Sequence, residues 1–274
     1  MNRATVSAIL GVCLGAALAA PAWALDLQPH RAIYAMKLAT SREGSDITGL
    51  TGKMYVEWAD ACDGWTVNQQ VLMTFVGADS PTMSNAFNYS SWEAKDGKSF
   101  RYSMRNSSGG QTMENVVGRA IMPTDSGEGS AAFDVPEVET LDLPDGTIFP
   151  TDHLLVMIEQ ALTGQRQFTR TVFNGTGLDS LNEVVTFIGP EIAPGSKPLA
   201  GEVADEIKDK LKARRSWPVS IGYFPMDAAN SEPEFEVRFR LFDNGVSVDL
   251  VLDYGSYAID AALSHLEVLT PPKC

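Results

Sequence analysis

The chain has 274 residues, 44% of them hydrophobic, and a formal net charge of −14. This composition can bury a sizeable core, and all-β chains of this length often form a single domain. The acidic balance argues against nucleic acid and other partners held mainly through phosphate charges. Because no repeat, low-complexity tract or shift in composition divides the chain, we expect one domain.

The first residues have the layout of a secretory signal peptide. Arg3 precedes an apolar run over about 8–20, and the run closes with the A-x-A cleavage pattern of Ala22-Trp23-Ala24. The run is too short to cross a bilayer. We therefore predict a signal peptide over 1–24 that is cleaved between Ala24 and Leu25.

Two alternatives to a cleaved signal peptide stay open. One is a transmembrane anchor. The other is a lipoprotein signal ending at Cys13, although Val12 stands where such signals need a small side chain. The prediction is a protein of residues 25–274 in the periplasm, without a transmembrane anchor after cleavage.

The first half of this protein alternates apolar and polar residues, which is the period of a half-buried strand. Dipeptides that favour turns interrupt the alternation. The predicted strands are, in chain order, 30–40, 51–75 with a turn at Asp63-Gly64, 88–106 with a turn at Asp96-Gly97, 113–122 and 127–135.

One segment, about 152–163, has the period of a helix. Its apolar residues recur at helical spacing, and they are Leu154, Leu155, Ile158, Ala161 and Leu162. Thr151 or Asp152 can cap its start with a side-chain oxygen, and Gly164 is a plausible stop. A single apolar helix among strands typically covers or fills an open sheet.

Further strands are predicted over 166–177, 181–189 and 216–225. The stretch 191–215 lacks a clear pattern. Apolar residues four apart, Val203, Ile207 and Leu211, indicate a weak second helix. The remaining residues there are charged, which favours a solvated insertion over that helix.

The strongest hairpin signal lies over 233–255. Phe235, Val237 and Phe239 alternate with charged residues, and a second alternating run follows the Asp243-Asn244-Gly245 turn. A last strand over 257–269 leads to Cys274.

Cys62 and Cys274 are the cysteines left once the signal peptide is removed. In an oxidising compartment their simplest interpretation is one disulfide, with two free thiols or an intermolecular bridge as alternatives. An intramolecular bridge would close a loop of more than two hundred residues. It would hold the last strand against the first third of the chain.

The sequence contains no motif for catalysis, metal or cofactor binding. His30, His153 and His265 are far apart, and no zinc, nucleophile-elbow or phosphate-loop pattern occurs. Asp152-His153 could orient a base, but a structural histidine at a helix start is the favoured interpretation. We therefore predict no catalytic residues, no metal and no cofactor.

Four tryptophans lie in or beside the predicted strands: Trp58, Trp65, Trp92 and Trp217. Large aromatic residues contribute much of a core, so we expect these side chains to be core rather than a ligand cage.

Several stretches together resemble the EipB family of periplasmic cell-envelope integrity proteins, an alphaproteobacterial domain of unknown function. They are spread over 30–274, and they are "HRAIYAMKL", "ACDGWTV", "WEAKDGKSFRY", "LPDGTIFPTDH", "TVFNGTG" and "FRLFDNGVSVDLVLDYG" with the terminal cysteine. No single stretch is diagnostic, but their order and spacing match jointly. The resemblance is weakest over 191–215.

The resemblance implies a mostly β, single-domain fold over 25–274. The expected architecture is a bent antiparallel sheet, a β-spiral or incompletely closed barrel, with a helix packed against it. It also implies a disulfide between an early and a C-terminal cysteine, which Cys62 and Cys274 match. A periplasmic tetratricopeptide-repeat protein is a possible partner by the same resemblance.

The main functional hypothesis is a non-catalytic periplasmic protein that supports envelope integrity by binding a protein or an envelope component on its curved sheet. The alternative is a lipid or lipoprotein carrier similar to periplasmic lipoprotein chaperones. A helix that fills the concavity would favour a protein partner over lipid. A second alternative, an uncharacterised envelope hydrolase, requires a pocket that joins His153 or His265 to a serine or aspartate.

Overall fold

A computed structural model of the protein describes residues 27–124, 126–199, 203–226 and 232–274. The predicted signal peptide over 1–24, and its cleavage between Ala24 and Leu25, lie outside these residues and stay predictions.

The described ranges contain fourteen strands and two helices. The strands are β1 His30–Ser41, β2 Ile47–Asp60, β3 Gly64–Gly77, β4 Met83–Ala94, β5 Ser99–Ser108, β6 Gln111–Ile121, β7 Gly129–Val135, β8 Glu139–Leu143, β9 Gln167–Phe173, β10 Leu181–Ile188, β11 Ser216–Pro225, β12 Phe235–Phe242, β13 Ser247–Asp253 and β14 Tyr257–Val268. The helices are α1 Pro150–Thr163 and α2 Asp205–Leu211. Neither helix is long and apolar enough to cross a membrane.

All strands belong to one antiparallel sheet in the order β8-β7-β6-β5-β4-β3-β2-β1-β14-β13-β12-β11-β10-β9. Each half of the chain forms a meander, and the pairing of β1 with β14 joins the two halves. The sheet curves into a nearly closed, barrel-like shape whose edges are β8 and β9. This architecture confirms the predicted bent antiparallel sheet with a helix against it.

The chain itself narrows the gap between the two edges. Ile148, between β8 and α1, forms a parallel bridge to Val172 on β9. Ile148 N–H donates to the Thr171 carbonyl at 3.0 Å, and Phe173 N–H donates to the Ile148 carbonyl at 3.1 Å. The segment that leads into α1 therefore uses backbone groups that an edge strand would otherwise leave unpaired.

Strand alternation places one set of apolar side chains toward the interior. On β1, Ala32, Tyr34 and Met36 are buried, whereas the residues between them are less so. α1 packs in a cluster with Trp58 and Trp217. Aromatic rings form another cluster, in which Phe100 stacks on Phe149 with ring centroids 4.9 Å apart.

The expectation of a solvated insertion within 191–215 is wrong. α2 forms there, and Val203, Ile207 and Leu211 are buried in a cluster that includes Phe242. So short a helix is not stable alone and depends on this burial. The charged residues that suggested an insertion pair along the helix instead, Lys208 with Asp205 and Lys210 with Glu206.

Strand β8 was not predicted, and β4 begins at Met83, five residues before the predicted start at 88. Both differences concern polar stretches in which alternation is weak. The turns predicted at Asp96-Gly97 and at Asn244-Gly245 are confirmed, and Gly97 and Gly245 adopt positive φ angles of 67° and 88°. The turn predicted at Asp63-Gly64 lies slightly earlier, because Cys62 has the positive φ angle and Gly64 begins β3.

Cys62 and Cys274 form a disulfide with their Cα atoms 5.7 Å apart. Cys62 lies in the turn between β2 and β3, where its amide donates to Asp60 Oδ1 at 2.7 Å. In the segment that leads to Cys274, Leu269 N–H donates to the Pro29 carbonyl at 2.8 Å. The last residue is thus fastened to the β2–β3 turn.

We expect Cys274→Ser to lower the melting temperature, because the disulfide closes a loop spanning 212 positions. The chain-entropy treatment gives on the order of 5 kcal/mol as an upper figure. The measurement is thermal unfolding followed by circular dichroism, with and without reductant. Reductant should lower the melting temperature of the wild type and leave the variant unchanged, and Lys273→Ala is the control. A variant that melts like the wild type would show that the disulfide contributes nothing.

Candidate functional site

Helix α1 lies within the curve of the sheet. Met157, Ile158 and Ala161 are buried in the cluster around Trp58 and Trp217. The apolar stripe predicted for this helix packs there, and the helix ends at Gly164, which adopts the left-handed conformation. The predicted helix and its stop are confirmed.

The predicted capping residue is wrong. The residue at the N-cap position is Phe149, which makes no side-chain cap, and Pro150 follows. The cap comes from Glu93 on β4, whose Oε2 accepts from Thr151 N–H at 2.8 Å and whose Oε1 accepts from Asp152 N–H at 2.7 Å. The oxygens of a carboxyl group satisfy free amides at a helix start, and the ionised form also interacts favourably with the helix dipole.

Local sequence could not reveal this cap, because Glu93 is separated from the helix start by more than fifty residues. One weak signal was present. The alternation of β4 places Glu93 on the same face as Tyr89, which is buried. A glutamate at an inward position needs a hydrogen-bonding partner inside the protein.

Burial raises the pKa of the Glu93 carboxyl to about 8, and the nearby charge of Asp152 adds to the effect, while the two amide donors oppose it. Burial also raises the pKa of Asp152 to about 6. The turn at Gly97 packs tightly against this carboxyl, since a Cβ on Gly97 would lie 2.1 Å from Asp152 Oδ2. The start of α1 is thus a crowded, weakly solvated acidic site.

The three histidines do not form a cluster. His153 Nε2 lies 3.2 Å from Thr186 Oγ1, and burial together with the charge of Arg170 lowers the pKa of His153 to about 4. His30 Nδ1 lies 2.7 Å from the Gln28 carbonyl oxygen, and burial lowers its pKa. His265 is exposed. Within the described ranges, no hydrogen bond joins His153 or His265 to a serine or aspartate, and no group of three or more His, Cys, Asp or Glu residues is placed to hold a metal.

The tryptophans follow the core prediction with one exception. Trp58 and Trp217 are buried, and Trp65 stacks on Trp58 with centroids 4.5 Å apart. Trp92 is only half-buried and lines a shallow groove together with Arg101. The Arg101 guanidinium lies 4.9 Å from the centroid of the Trp92 ring. The core prediction for Trp92 is wrong, because strand alternation turns it away from the interior that Glu93 faces.

The curved sheet surrounds a cavity of about 630 Å³ that is partly open to solvent, and we call it the apolar chamber. Such a volume is typical of small-molecule sites. Among the described residues, no Asp, Glu, Lys or Arg lines it. Its walls are mostly aromatic, aliphatic and methionine side chains from the strands, including Tyr34, Met36, Met54, Val71, Met73, Phe75, Phe87, Leu250, Leu252 and Tyr257. Met73, Phe75 and Leu250 are only half-buried, although they face inward, because they border this space.

A second cavity of about 620 Å³ lies between α1 and β9–β12, and we call it the helix chamber. It is more polar, with His153, Asn174, Asp179, Asn182 and Glu234 among its lining residues. The two chambers share the lining residues Gln69, Leu154, Phe235 and Ser247. They are therefore adjacent parts of one lumen, with Leu154 of α1 at their junction.

Comparison with known proteins gives three related findings. A model of the family described as EipB-like matches residues 21–270. The cell envelope integrity protein EipB of Brucella abortus (strain 2308) is 29% identical over 260 residues, which cover 94% of this chain and 90% of that protein. A crystal structure of a beta-barrel-like protein of a domain of unknown function, also from Brucella abortus, superposes with a TM-score of 0.81 at 29% identity. The superposition covers 90% of this chain and all of that one.

We expect the wild type to become less stable as the pH rises from 7 to 9. The unfolded chain has already ionised Glu93 in this range, whereas the folded protein must ionise it at about 8. The folded state therefore binds more protons, and raising the pH favours unfolding by on the order of 1 kcal/mol. The pKa values of His30 and His153 are lowered, so both rings are neutral throughout this window.

The measurement is urea unfolding at pH 7, 8 and 9 of the wild type, Glu93→Gln and the exposed control Glu183→Gln. The Glu93→Gln protein should lose most of the pH dependence because it has no proton to release there. Glu183→Gln should retain it. Equal slopes in all three proteins would show that Glu93 does not titrate in this window.

Proposed function

The chain belongs to the EipB-like family, and on that premise we propose that it supports cell-envelope integrity as a periplasmic, non-catalytic protein that holds an apolar chain in its lumen. The similarity to a cell envelope integrity protein supports the envelope role. The binding of an apolar chain rests on the lumen itself.

The apolar chamber is the observation that carries the proposal. Its walls present aromatic, aliphatic and methionine side chains without an ionised group, so an apolar chain would enter without burying a charge. A ligand that filled this space would remove apolar surface from water, and each Å² of buried apolar surface would stabilise the complex by roughly 25 cal/mol. Methionines such as Met36, Met54 and Met73 adapt to irregular shapes, which suits a flexible acyl chain.

A helix that filled the concavity of the sheet would favour a protein partner over lipid, but α1 does not fill it. It occupies one side of the lumen through Met157, Ile158 and Ala161 and leaves the apolar chamber beside it. The geometry therefore favours the lipid or lipoprotein carrier, which was the alternative hypothesis.

Two features support the proposed periplasmic location. The predicted signal peptide over 1–24 would export the chain, and a disulfide between Cys62 and Cys274 persists in an oxidising compartment. The proposal of a non-catalytic role is supported by His153, whose ring partner Thr186 is fully buried and therefore out of reach of a substrate.

A protein partner is a second candidate, and the edge strand β8 favours it. β8 pairs only with β7 among the described strands, and Val138 just before it is 90% exposed. An extended segment of a partner could add to this edge. The tetratricopeptide-repeat protein implied by the family resemblance stays a prediction.

The proposal predicts that the wild type binds the neutral fluorescent probe N-phenyl-1-naphthylamine. The double variant Met73→Trp/Leu250→Trp should bind it about tenfold more weakly or worse, because two indoles would occupy the apolar chamber. Fluorescence titration measures the affinity, and circular dichroism checks that the variant folds.

The matched control is Leu72→Trp/Val251→Trp, which adds the same side chains at neighbouring positions on the opposite face of the same strands. Leu72 is 60% exposed. The control should bind the probe like the wild type. Failure of the wild type to bind, or an equal loss in both variants, would contradict a ligand in the apolar chamber.

A further inference from the structure

Among the described residues, the charged side chains that line the lumen are all acidic. Asp179, in the β9–β10 connection, and Glu234, just before β12, line the helix chamber. Neither carboxylate forms an ion pair or a side-chain hydrogen bond within the described ranges. No arginine or lysine of those ranges lines either chamber.

The histidine of the helix chamber supplies no positive charge either. The pKa of His153 is lowered to about 4 by burial and by the charge of Arg170, so the ring is neutral at neutral pH. Arg170 itself does not line the chamber. An anionic head placed here would meet two carboxylates and no arginine or lysine among the described lining residues, and a cationic head would be attracted to the carboxylates.

The side chain of Asn182, in the same chamber, has no hydrogen-bond partner among the described residues. Asn182 on β10 is 8% exposed and lines the helix chamber. In the sequence it stands between Asp179 and the buried Val184. No residue of the described chain hydrogen bonds to its side chain. No side-chain nitrogen or oxygen that is cut off from solvent lacks a partner in the described ranges, so the amide atoms of Asn182 face the open space of the chamber. The amide oxygen is free to accept a hydrogen bond from a ligand that occupies the chamber.

The position of the helix chamber relative to the apolar chamber completes the argument. The two share Gln69, Leu154, Phe235 and Ser247, so a ligand with its tail in the apolar chamber can place its head in the helix chamber. We propose that the helix chamber is a headgroup site for a protonated amine, and that the lumen selects amphiphiles with an apolar tail and a cationic head. This inference rests on the proposed function.

The first test compares three twelve-carbon ligands below their micelle concentrations: dodecylammonium, dodecyl maltoside and dodecanoate. Each displaces N-phenyl-1-naphthylamine from the wild type in a fluorescence assay at low salt. We expect dodecylammonium to bind about tenfold more tightly than dodecanoate, with the neutral maltoside between them. High salt should narrow the difference, because the two carboxylates are exposed to solvent.

The carboxylates are tested by the isosteric double variant Asp179→Asn/Glu234→Gln. It should still bind the probe and should lose most of the preference for the cationic ligand. The matched control Asp142→Asn/Glu183→Gln removes the same net charge at exposed positions outside the chambers and should keep the preference. This pair separates a local headgroup site from general attraction of cations to an acidic protein.

The amide is tested by Asn182→Leu, which is close to it in shape. Because no described residue hydrogen bonds to the Asn182 side chain, the melting temperature should not fall. The affinity for dodecylammonium should fall several-fold, while the affinity for the probe stays the same. A lower melting temperature would show that the amide has a structural role instead.

The outcomes separate the two proposals. If the wild type does not bind the probe, the apolar-chain function fails. If it binds the probe but the three ligands bind equally, or the preference is the same in both double variants, the headgroup site fails and the apolar chamber alone accounts for binding.

Discussion

The position of α1 depends on the hydrogen bonds between the Glu93 carboxyl group and the first amides of the helix. Glu93 belongs to β4, in the first half of the sheet, whereas α1 connects the two sheet edges. A buried carboxyl group needs hydrogen-bond partners, and a helix start needs an acceptor, so each satisfies the other inside the protein. These two hydrogen bonds hold the start of α1 against β4. Leu154 of α1 then lies where the apolar chamber meets the helix chamber.

The curved sheet can hold such a lumen because its ends are fastened together. β1 pairs with β14, so the two halves meet along a long antiparallel ladder, and the disulfide from Cys62 to Cys274 ties the last residue to the β2–β3 turn. At the opposite side, the backbone around Ile148 bridges toward β9. These connections support an interior that is not fully packed, which a flat open sheet could not protect from water.

Family membership and lumen chemistry give different kinds of functional information. Family membership supports a role in cell-envelope integrity, because a relative is named a cell envelope integrity protein. The lumen limits what the protein could hold: an apolar end without charge, and a more polar end with carboxylates, amides and a neutral histidine. Both properties follow from strand alternation, because it decides which side chains face inward. The polar end also receives residues from the β9–β10 connection, such as Asp179.

The sequence by itself determined the mostly β fold, most strands, the turns at Gly97 and Gly245, and α1 with its stop at Gly164. These features arise from local alternation, helical spacing and the conformational freedom of glycine. Cysteine count and compartment made the pairing of Cys62 with Cys274 the simplest interpretation. Only the tertiary structure decided the cap by Glu93, the burial of α2, the outward position of Trp92 and the two chambers. Each of these depends on contacts between residues distant in sequence, and an unfilled space inside a sheet leaves no local pattern in the chain.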